Sequence, residues 1–410
     1  MREKTRGEWS KQLDFFAVLW IVLSSGSMFF GQLNTNLSMF GLGIIIVLYL
    51  ITYRYRCERK NVIRYCFVLL FFVANICITG IENNSIKDGI IFLIRISAVF
   101  IIQSCVEQIS FVKNFIKVIY IISIVSLVCW SIGVVFPDFP YPGTFEVRNE
   151  NCSFYGTFYY TIGMNSNSRF GSEIGRNAGI FWEPGVFQVY LNMAFFLAMC
   201  YNKVNIKNRL MKAIILAVTL ATTQSSMGYL ILMIQILFIF FSDNDLVKKY
   251  HLKKYVFFAL VIGGLIVFIE GSLIEKLLYG GGSFITRYDD AIVVLQTIVR
   301  YPIWGIGSFS DLTAYVVAHF TDSPYRRGRT EITCSNGLLN VFATHGIPAG
   351  MIYVWCIFKS ASHFFVSKKE AIMYWVIVLM CLANEPIAIT SFFVCFLFNW
   401  KELRNTRYMS

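Results

Sequence analysis

Apolar residues run along this chain in long blocks that short charged stretches interrupt. Phe67–Val73 and Ile231–Phe241 are two such blocks, and others recur from end to end. A helix needs about 20 mostly apolar residues to cross some ~30 Å of hydrocarbon. Sustained runs of this kind suit lipid better than a water-soluble core. The pattern predicts spans near 14–32, 36–53, 65–81, 89–106, 118–136 and 184–201, then near 211–223, 228–241, 255–270, 337–358, 370–384 and 388–400. Two stretches, 211–241 and 370–400, fit either a hairpin of two short spans or one long tilted helix.

Charge decides between these. Cytoplasmic connections of membrane proteins collect Lys and Arg. The basic groups here are Arg2, Lys4, Arg6 and Lys11; then Arg54, Arg56, Arg59, Lys60 and Arg64; then Lys113 and Lys117. They continue with Lys203, Lys207, Arg209 and Lys212, with Lys248, Lys249, Lys253 and Lys254, with Lys359, Lys368 and Lys369, and with Lys401, Arg404 and Arg407 in the tail. Together they hold 25 of the 36 Lys and Arg. Lys212 and Lys248 share a side only if the chain crosses twice between them, so 211–241 is read as a hairpin. The first apolar segment lacks a small-residue cleavage site and is expected to stay as helix one.

The expected fold is an all-α polytopic membrane protein, a single transmembrane domain over 1–410 with about twelve helices and both termini cytoplasmic. Two large extracytoplasmic loops interrupt it. The first, 137–183, is rich in Asn, Gly, Ser and Tyr. The second, 271–336, contains Gly280 to Gly282 and a helix near 284–300. In that helix Ile285, Tyr288, Ile292, Leu295 and Val299 share one face, as expected of a helix lying on the membrane surface.

Composition agrees with the pattern. Of 410 residues, 56% are hydrophobic and only 15% charged, against about 25% charged in soluble domains. The net charge of +12 would suit a nucleic acid, but basic residues placed between apolar segments point to membrane orientation instead, and no nucleic-acid partner is expected. The eleven cysteines show no CxxC spacing. Cys152 and Cys334 are the two in outer loops, where an oxidising compartment could pair them. His319 and His345 lie on the outer side without ligand-like spacing. No metal site, GxSxG elbow or P-loop is found, so no metal and no cofactor are expected.

The remaining basic residues carry the chemistry. Outside lie Lys87, Arg148, Arg169, Arg176, Lys276, Arg287, Arg300, Arg326, Arg327 and Arg329, and Arg95 enters the bilayer about two turns into the fourth span. Nine of these eleven are arginine, which binds phosphate bidentately and stays protonated. Any one of them could be solvated loop charge; as a set they suit a polyanionic lipid headgroup. Arg95 fits either snorkelling to the outer headgroups or a ligand role.

The strongest local signal is Arg176-Asn177-Ala178-Gly179-Ile180-Phe181-Trp182-Glu183-Pro184-Gly185, where the first loop re-enters the membrane. Proline suits the first turn of a helix, which puts Glu183 at the N-cap. There it is either a capping carboxylate stabilised by the helix dipole or a group able to take a proton from a sugar hydroxyl. A second block holds Arg287-Tyr288-Asp289-Asp290, then Arg300-Tyr301-Pro302-Ile303-Trp304-Gly305-Ile306-Gly307. It passes Arg326-Arg327-Gly328-Arg329 and ends in Ser335-Asn336-Gly337-Leu338-Leu339. The outer turns Thr222–Gly228 and Asn384-Glu385-Pro386 read as plain helix hairpins.

In this order, these blocks resemble the O-antigen polymerase family, which includes capsule and exopolysaccharide repeat-unit polymerases. The resemblance is carried by Arg176 with Gly179–Gly185, by Ser225-Ser226-Met227-Gly228, by Arg287 with Tyr301–Gly307, and by Ser335–Leu339 with Gly346-Ile347 and Gly350. It covers about 176–358. It implies a metal-independent glycosyltransferase at the outer face of the plasma membrane, joining oligosaccharide repeat units carried on undecaprenyl diphosphate. Arg176 and Arg287 would hold the departing diphosphate and Glu183 would serve the acceptor hydroxyl. Arg95, Arg300, Arg326, Arg327, Arg329, Ser335 and Asn336 would bind substrate. A flippase and a chain-length regulator are the implied partners.

One departure from the pattern matters. Related ligases carry His-Asn where this chain has Ser335-Asn336, and serine is a poor base. The ligase reading loses ground accordingly. A transporter of lipid-linked oligosaccharide is the rival of another class, but transporters gather ionisable groups at the bilayer midplane, and here they gather in two loops.

Overall fold

The computed structural model describes residues 8–52, 59–80, 86–149, 152–162, 175–203, 205–242, 282–307, 336–398 and 400. The span expected at 255–270, Lys248, Arg326, Arg327, Arg329, Cys334 and Ser335 lie outside the described residues. The chain is mostly helical: α1 (Glu8–Leu23), α2 (Thr35–Thr52), α3 (Arg59–Asn75), α4 (Ile86–Cys105), α5 (Gln108–Val135), α6 (Pro184–Cys200), α7 (Arg209–Thr222), α8 (Ser226–Phe241), α9 (Gly282–Arg300), α10 (Gly337–Phe364) and α11 (Lys368–Asn384). Three helical stretches, Asn61–Thr79, Gln108–Val135 and Gly337–Phe364, are long and apolar enough to cross a membrane, and Asn36–Thr52, Gly89–Cys105, Pro184–Cys200, Ser226–Phe241 and Ala291–Arg300 are shorter apolar helices.

The outward faces are as apolar as the inward ones. Phe40, Val47 and Ile51 on α2, Ile63, Phe67 and Leu70 on α3, and Ile121 and Val128 on α5 are all exposed. A water-soluble monomer rarely leaves so much contiguous apolar surface uncovered. A lipid-facing surface does so by design, because acyl chains are as apolar as leucine.

At the centre stands α6, every residue of which from Pro184 to Cys200 is buried. Its sequence is apolar all round, as a helix enclosed by others must be. Its two buried amides bond to each other and to α8: Asn192 Nδ2 donates to the Gln188 side chain at 2.9 Å, and Gln235 of α8 donates to Asn192 Oδ1 at 2.8 Å.

Several of the basic side chains lie close together. Lys117 near the start of α5 lies over the Phe15 ring of α1 at 4.7 Å, and Lys212 of α7 lies 5.9 Å from the Tyr120 ring. Lys203 donates to the His363 carbonyl at the end of α10, and Arg209 donates to the last carbonyls of α6. All of these gather at one end of the bundle. The opposite end carries the start of α6, the α7–α8 turn, the start of α10 and the end of α11. The stretch 211–241 is two helices, divided at Thr223–Ser225, where Gln224 takes φ +49°.

Two departures from the all-helical expectation appear. Within the first loop the chain forms a three-stranded antiparallel sheet, β1 (Phe145–Asn149), β2 (Cys152–Gly156) and β3 (Thr161–Ile162), in the order β1-β2-β3. Its buried partner is a tyrosine pair: Tyr141 donates to the Cys129 carbonyl at the top of α5, and its ring centroid lies 5.7 Å from that of Tyr160. Burial and the neighbouring Tyr141 push the Tyr160 phenol above its ordinary pKa, so its ring stays neutral.

The second departure is the stretch expected as a twelfth helix, 388–400. It is a short helical turn, Ser391–Val394, followed by one 3-10 turn, Cys395–Leu397. Carbonyls and amides left over by the missing helix are satisfied from neighbouring helices. Ser25 Oγ accepts from the Phe392 amide at 2.7 Å, Gln103 donates to the Phe398 carbonyl at 2.9 Å, and Ser360 donates to the Phe396 carbonyl at 3.1 Å. Non-helical backbone at membrane depth is tolerated where protein supplies such partners. Ser25 lies at the far end of α1, while Trp400 stacks on Phe111 at the basic end, 3.9 Å between centroids. The Phe392 ring lies 6.2 Å from that same Phe111 ring, so both ends of the segment pack against α5.

Candidate functional site

The segment 175–183 enters the bundle by displacing helix at the top of α1. Ser24-Ser25-Gly26-Ser27 ends that helix because serine hydroxyls take its last carbonyls: Ser25 Oγ donates to Ile21 and Ser27 Oγ to Leu23. The opened backbone then pairs with the loop. Met28 donates to the Ile180 carbonyl at 2.9 Å, and Trp182 donates to the Gly26 carbonyl at 3.3 Å.

Other elements fix the rest of the segment. Thr161 of β3 donates to the Gly179 carbonyl at 2.6 Å, and the Trp130 indole of α5 donates to the Gly175 carbonyl at 2.7 Å. Fully buried Asn177 joins three elements: its Nδ2 donates to Thr222 Oγ1 at 2.9 Å and to Ser126 Oγ at 3.3 Å, while its Oδ1 accepts the Gly179 amide. Gly179 has φ +58°, and a Cβ there would meet the Phe187 ring at 2.8 Å. Glycine is required at this position on both counts.

Arg176 and Glu183 stand on this fixed segment. Arg176 Nε donates to the Thr223 carbonyl at 3.1 Å, which holds the half-buried guanidinium against the α7–α8 turn. Glu183 is the N-cap residue of α6 in extended backbone, with Pro184 in the first turn, yet its side chain makes no capping bond. Its Oε1 instead accepts from the Trp182 indole at 3.2 Å. Capping, one of the two roles open to Glu183 from the sequence, is therefore not what its carboxylate does.

A second construction lies across the same end. Within α10, Gly346 leaves the helical region at φ +84°, ψ +169°, breaking the helix two residues before Pro348. The hydrogen bonds lost at the break are replaced by Tyr301–Gly307. Ile306 donates to the Ala343 carbonyl at 3.0 Å, Gly307 to the Thr344 carbonyl at 2.8 Å, and Ile347 to the Pro302 carbonyl at 2.7 Å. Gly305 and Gly307, at φ +67° and +89°, admit this approach: a Cβ on Gly305 would come within 2.5 Å of the Thr344 carbonyl. Asn75 at the end of α3 closes the nest from the side. Its Nδ2 donates to the Trp304 carbonyl at 2.7 Å, which directs its Oδ1 to His345 Nδ1 at 3.0 Å. His345 is thus the donor in that pair, and its position is structural.

The other expected site residues fall as follows. Arg300 ends α9, exposed, its guanidinium 6.0 Å from the Tyr301 ring. Arg287 lies in α9, in helical register with Val294 and Ile298, which pack on Ala343 of α10. Asn336 is the N-cap of α10, its Oδ1 accepting the Leu339 amide at 2.9 Å. Arg95 is half-buried in the middle of α4, one turn beyond Phe92, whose ring stacks on His345. On α9 the expected surface face is exposed at Leu295 and Val299.

Three residues with site roles were not singled out from the sequence. Asn75 and Asn177 are ordinary amides until the partners that surround them are known. Glu385, read as part of a plain turn, is buried against the first turns of both α6 and α10. Its only sequence signal is a carboxylate placed between two long apolar runs. No protein-family model matches the chain, and no curated protein matches it.

Proposed function

We propose that this chain is a polysaccharide polymerase that joins undecaprenyl-diphosphate-linked oligosaccharide repeat units at the outer face of a bacterial plasma membrane. The reading includes about twelve crossings, with both termini and the basic end cytoplasmic. The observation that supports it is that Arg176, Glu183 and Asn336 each stand on a hydrogen-bonded segment, Arg176 against the α7–α8 turn, Glu183 at the start of α6 and Asn336 at the start of α10. The resemblance of the same segments to O-antigen polymerases supports it.

In this reaction an acceptor hydroxyl attacks the anomeric carbon of a lipid-linked chain. The anomeric C–O bond breaks, undecaprenyl diphosphate leaves, and the hydroxyl proton passes to a base. Charge grows on the diphosphate as it departs, and preorganised guanidinium groups stabilise it without reorganising. Glu183, which makes no helix-capping bond, supplies the acceptor for the proton.

Purified protein incubated with one defined lipid-linked repeat unit should yield a ladder of products without added metal. Unextended units after prolonged incubation would end the proposal. Glu183→Gln preserves shape and removes the base, so chain extension should slow by about 10²-fold or more with little change in protein level; wild-type rates would leave Glu183 a local structural residue.

The broken α10 is the observation that favours transport, since interrupted helices line transporter binding sites. There the freed carbonyls would face substrate. Here the Ala343 and Thr344 carbonyls are taken by Ile306 and Gly307, which weakens that reading.

A further inference from the structure

Glu385 follows α11 directly and is 2% exposed. Two glycines on other helices allow it to sit where it does. A Cβ at Gly185, in the first turn of α6, would fall 2.1 Å from Glu385 Oε1. A Cβ at Gly337, in the first turn of α10, would fall 2.3 Å from the Glu385 carbonyl oxygen and 3.0 Å from the Pro386 Cα. The acid thus closes on the starts of both helices at once, and Asn384 Nδ2 donates to its Oε1 at 2.5 Å.

The positive end of α6 calls for a nearby negative group. Glu183, the N-cap, makes no capping bond. Glu385 brings its carboxylate to that same first turn from another helix. We infer that Glu385 is a positioning residue: it supplies the counter-charge at the α6 start, leaves the Glu183 carboxylate to the Trp182 indole, and locks the Glu183 segment to Asn336 at the start of α10. It touches no substrate and acts through Glu183. That assignment of a proton-accepting role to Glu183 rests on the polymerase reading.

The test uses full-length protein in detergent or nanodiscs, with two readouts. One is the emission of Trp182, obtained as the difference from the Trp182→Phe background, which reports the Trp182–Glu183 contact whatever reaction the protein performs. The other is kcat and KM per folded molecule on a defined lipid-linked repeat unit. Glu385→Ala is expected to shift the Trp182 emission and to lower kcat by about 10-fold or more, as small misplacements of catalytic groups do, while KM changes less than about twofold. Glu385→Gln, which keeps the volume but loses the charge, should leave most of both changes in place, whereas Glu385→Asp, which keeps the charge, should recover part of both.

Should Glu385→Ala fail to fold, Gly185→Ala pushes the carboxylate tip off the helix start while retaining the acid, and the same spectral shift is expected. Wild-type Trp182 emission in the folded fraction of either variant, or wild-type kcat per folded molecule in Glu385→Ala, makes Glu385 a packing residue and overturns the inference. If wild-type protein forms no polymer, the polymerase reading falls, and the spectral arm alone decides the link between Glu385 and Glu183.

Discussion

Alanine at position 346 is expected to leave almost no folded protein. Gly346 sits at φ +84°, ψ +169°, a region open essentially to glycine, where another residue costs about 1–3 kcal/mol from backbone strain alone. Its new Cβ would also lie 2.1 Å from the Ile303 carbonyl oxygen and 2.5 Å from the Ile303 carbonyl carbon. Those are backbone atoms of the segment that replaces the broken helix's hydrogen bonds, so neither side can yield without losing the bonds to Pro302, Ala343 and Thr344. Overpacking of this kind adds about 1–3 kcal/mol. The sum is a large part of the total stability of a typical protein. Fluorescence-detected size exclusion of Gly346→Ala should show loss of the monodisperse peak, and a wild-type peak with a wild-type melting temperature would refute the account of the 301–307 nest.

Arg287→Ala should act in the opposite manner, with protein present and product absent. Val294 and Ile298 carry the packing of α9 on α10, and alanine is a strong helix former, so protein level is expected to hold. On the polymerase reading, removing one charge that stabilises a departing diphosphate costs about 10²–10³-fold in rate. Immunoblots of membranes from a strain carrying the variant should match wild type while polysaccharide collapses to single repeat units on its acceptor. Normal-length polymer would remove Arg287 from the mechanism.

The sequence was legible where the physics is local. Period and length placed most of the described helices, and the basic residues at both ends of 211–241 predicted the hairpin that divides α7 from α8. Gly179, Gly305 and Gly307 sat inside the motifs singled out, and their positive φ values explain why those motifs contain glycine. The Pro184 signal located the start of α6 and put Glu183 at its N-cap.

What could not be read was set by distant partners. The strands at 145–162 are short and rich in residues that also suit loops, and they gain order by joining Gly179 and the tyrosine pair. An uninterrupted apolar stretch such as Phe392–Phe398 looks alike whether it forms a helix or a buried irregular segment. Only the donors on Gln103 and Ser360 and the acceptor on Ser25 make the second possible, and all three lie on other elements, 36, 295 and 367 residues away in sequence for Ser360, Gln103 and Ser25. Glu385 was passed over for the same reason, because Gly185 and Gly337 acquire meaning only beside it.

That last stretch bears on how the molecule is made. An ordinary span leaves the insertion machinery with its backbone already self-satisfied, so it can wait in lipid for its neighbours. Ser391–Phe398 cannot wait: its amides and carbonyls have no internal partners beyond two short turns. Its berth must already be assembled when it settles, so it docks only after the elements that carry Ser25, Gln103 and Ser360 have packed.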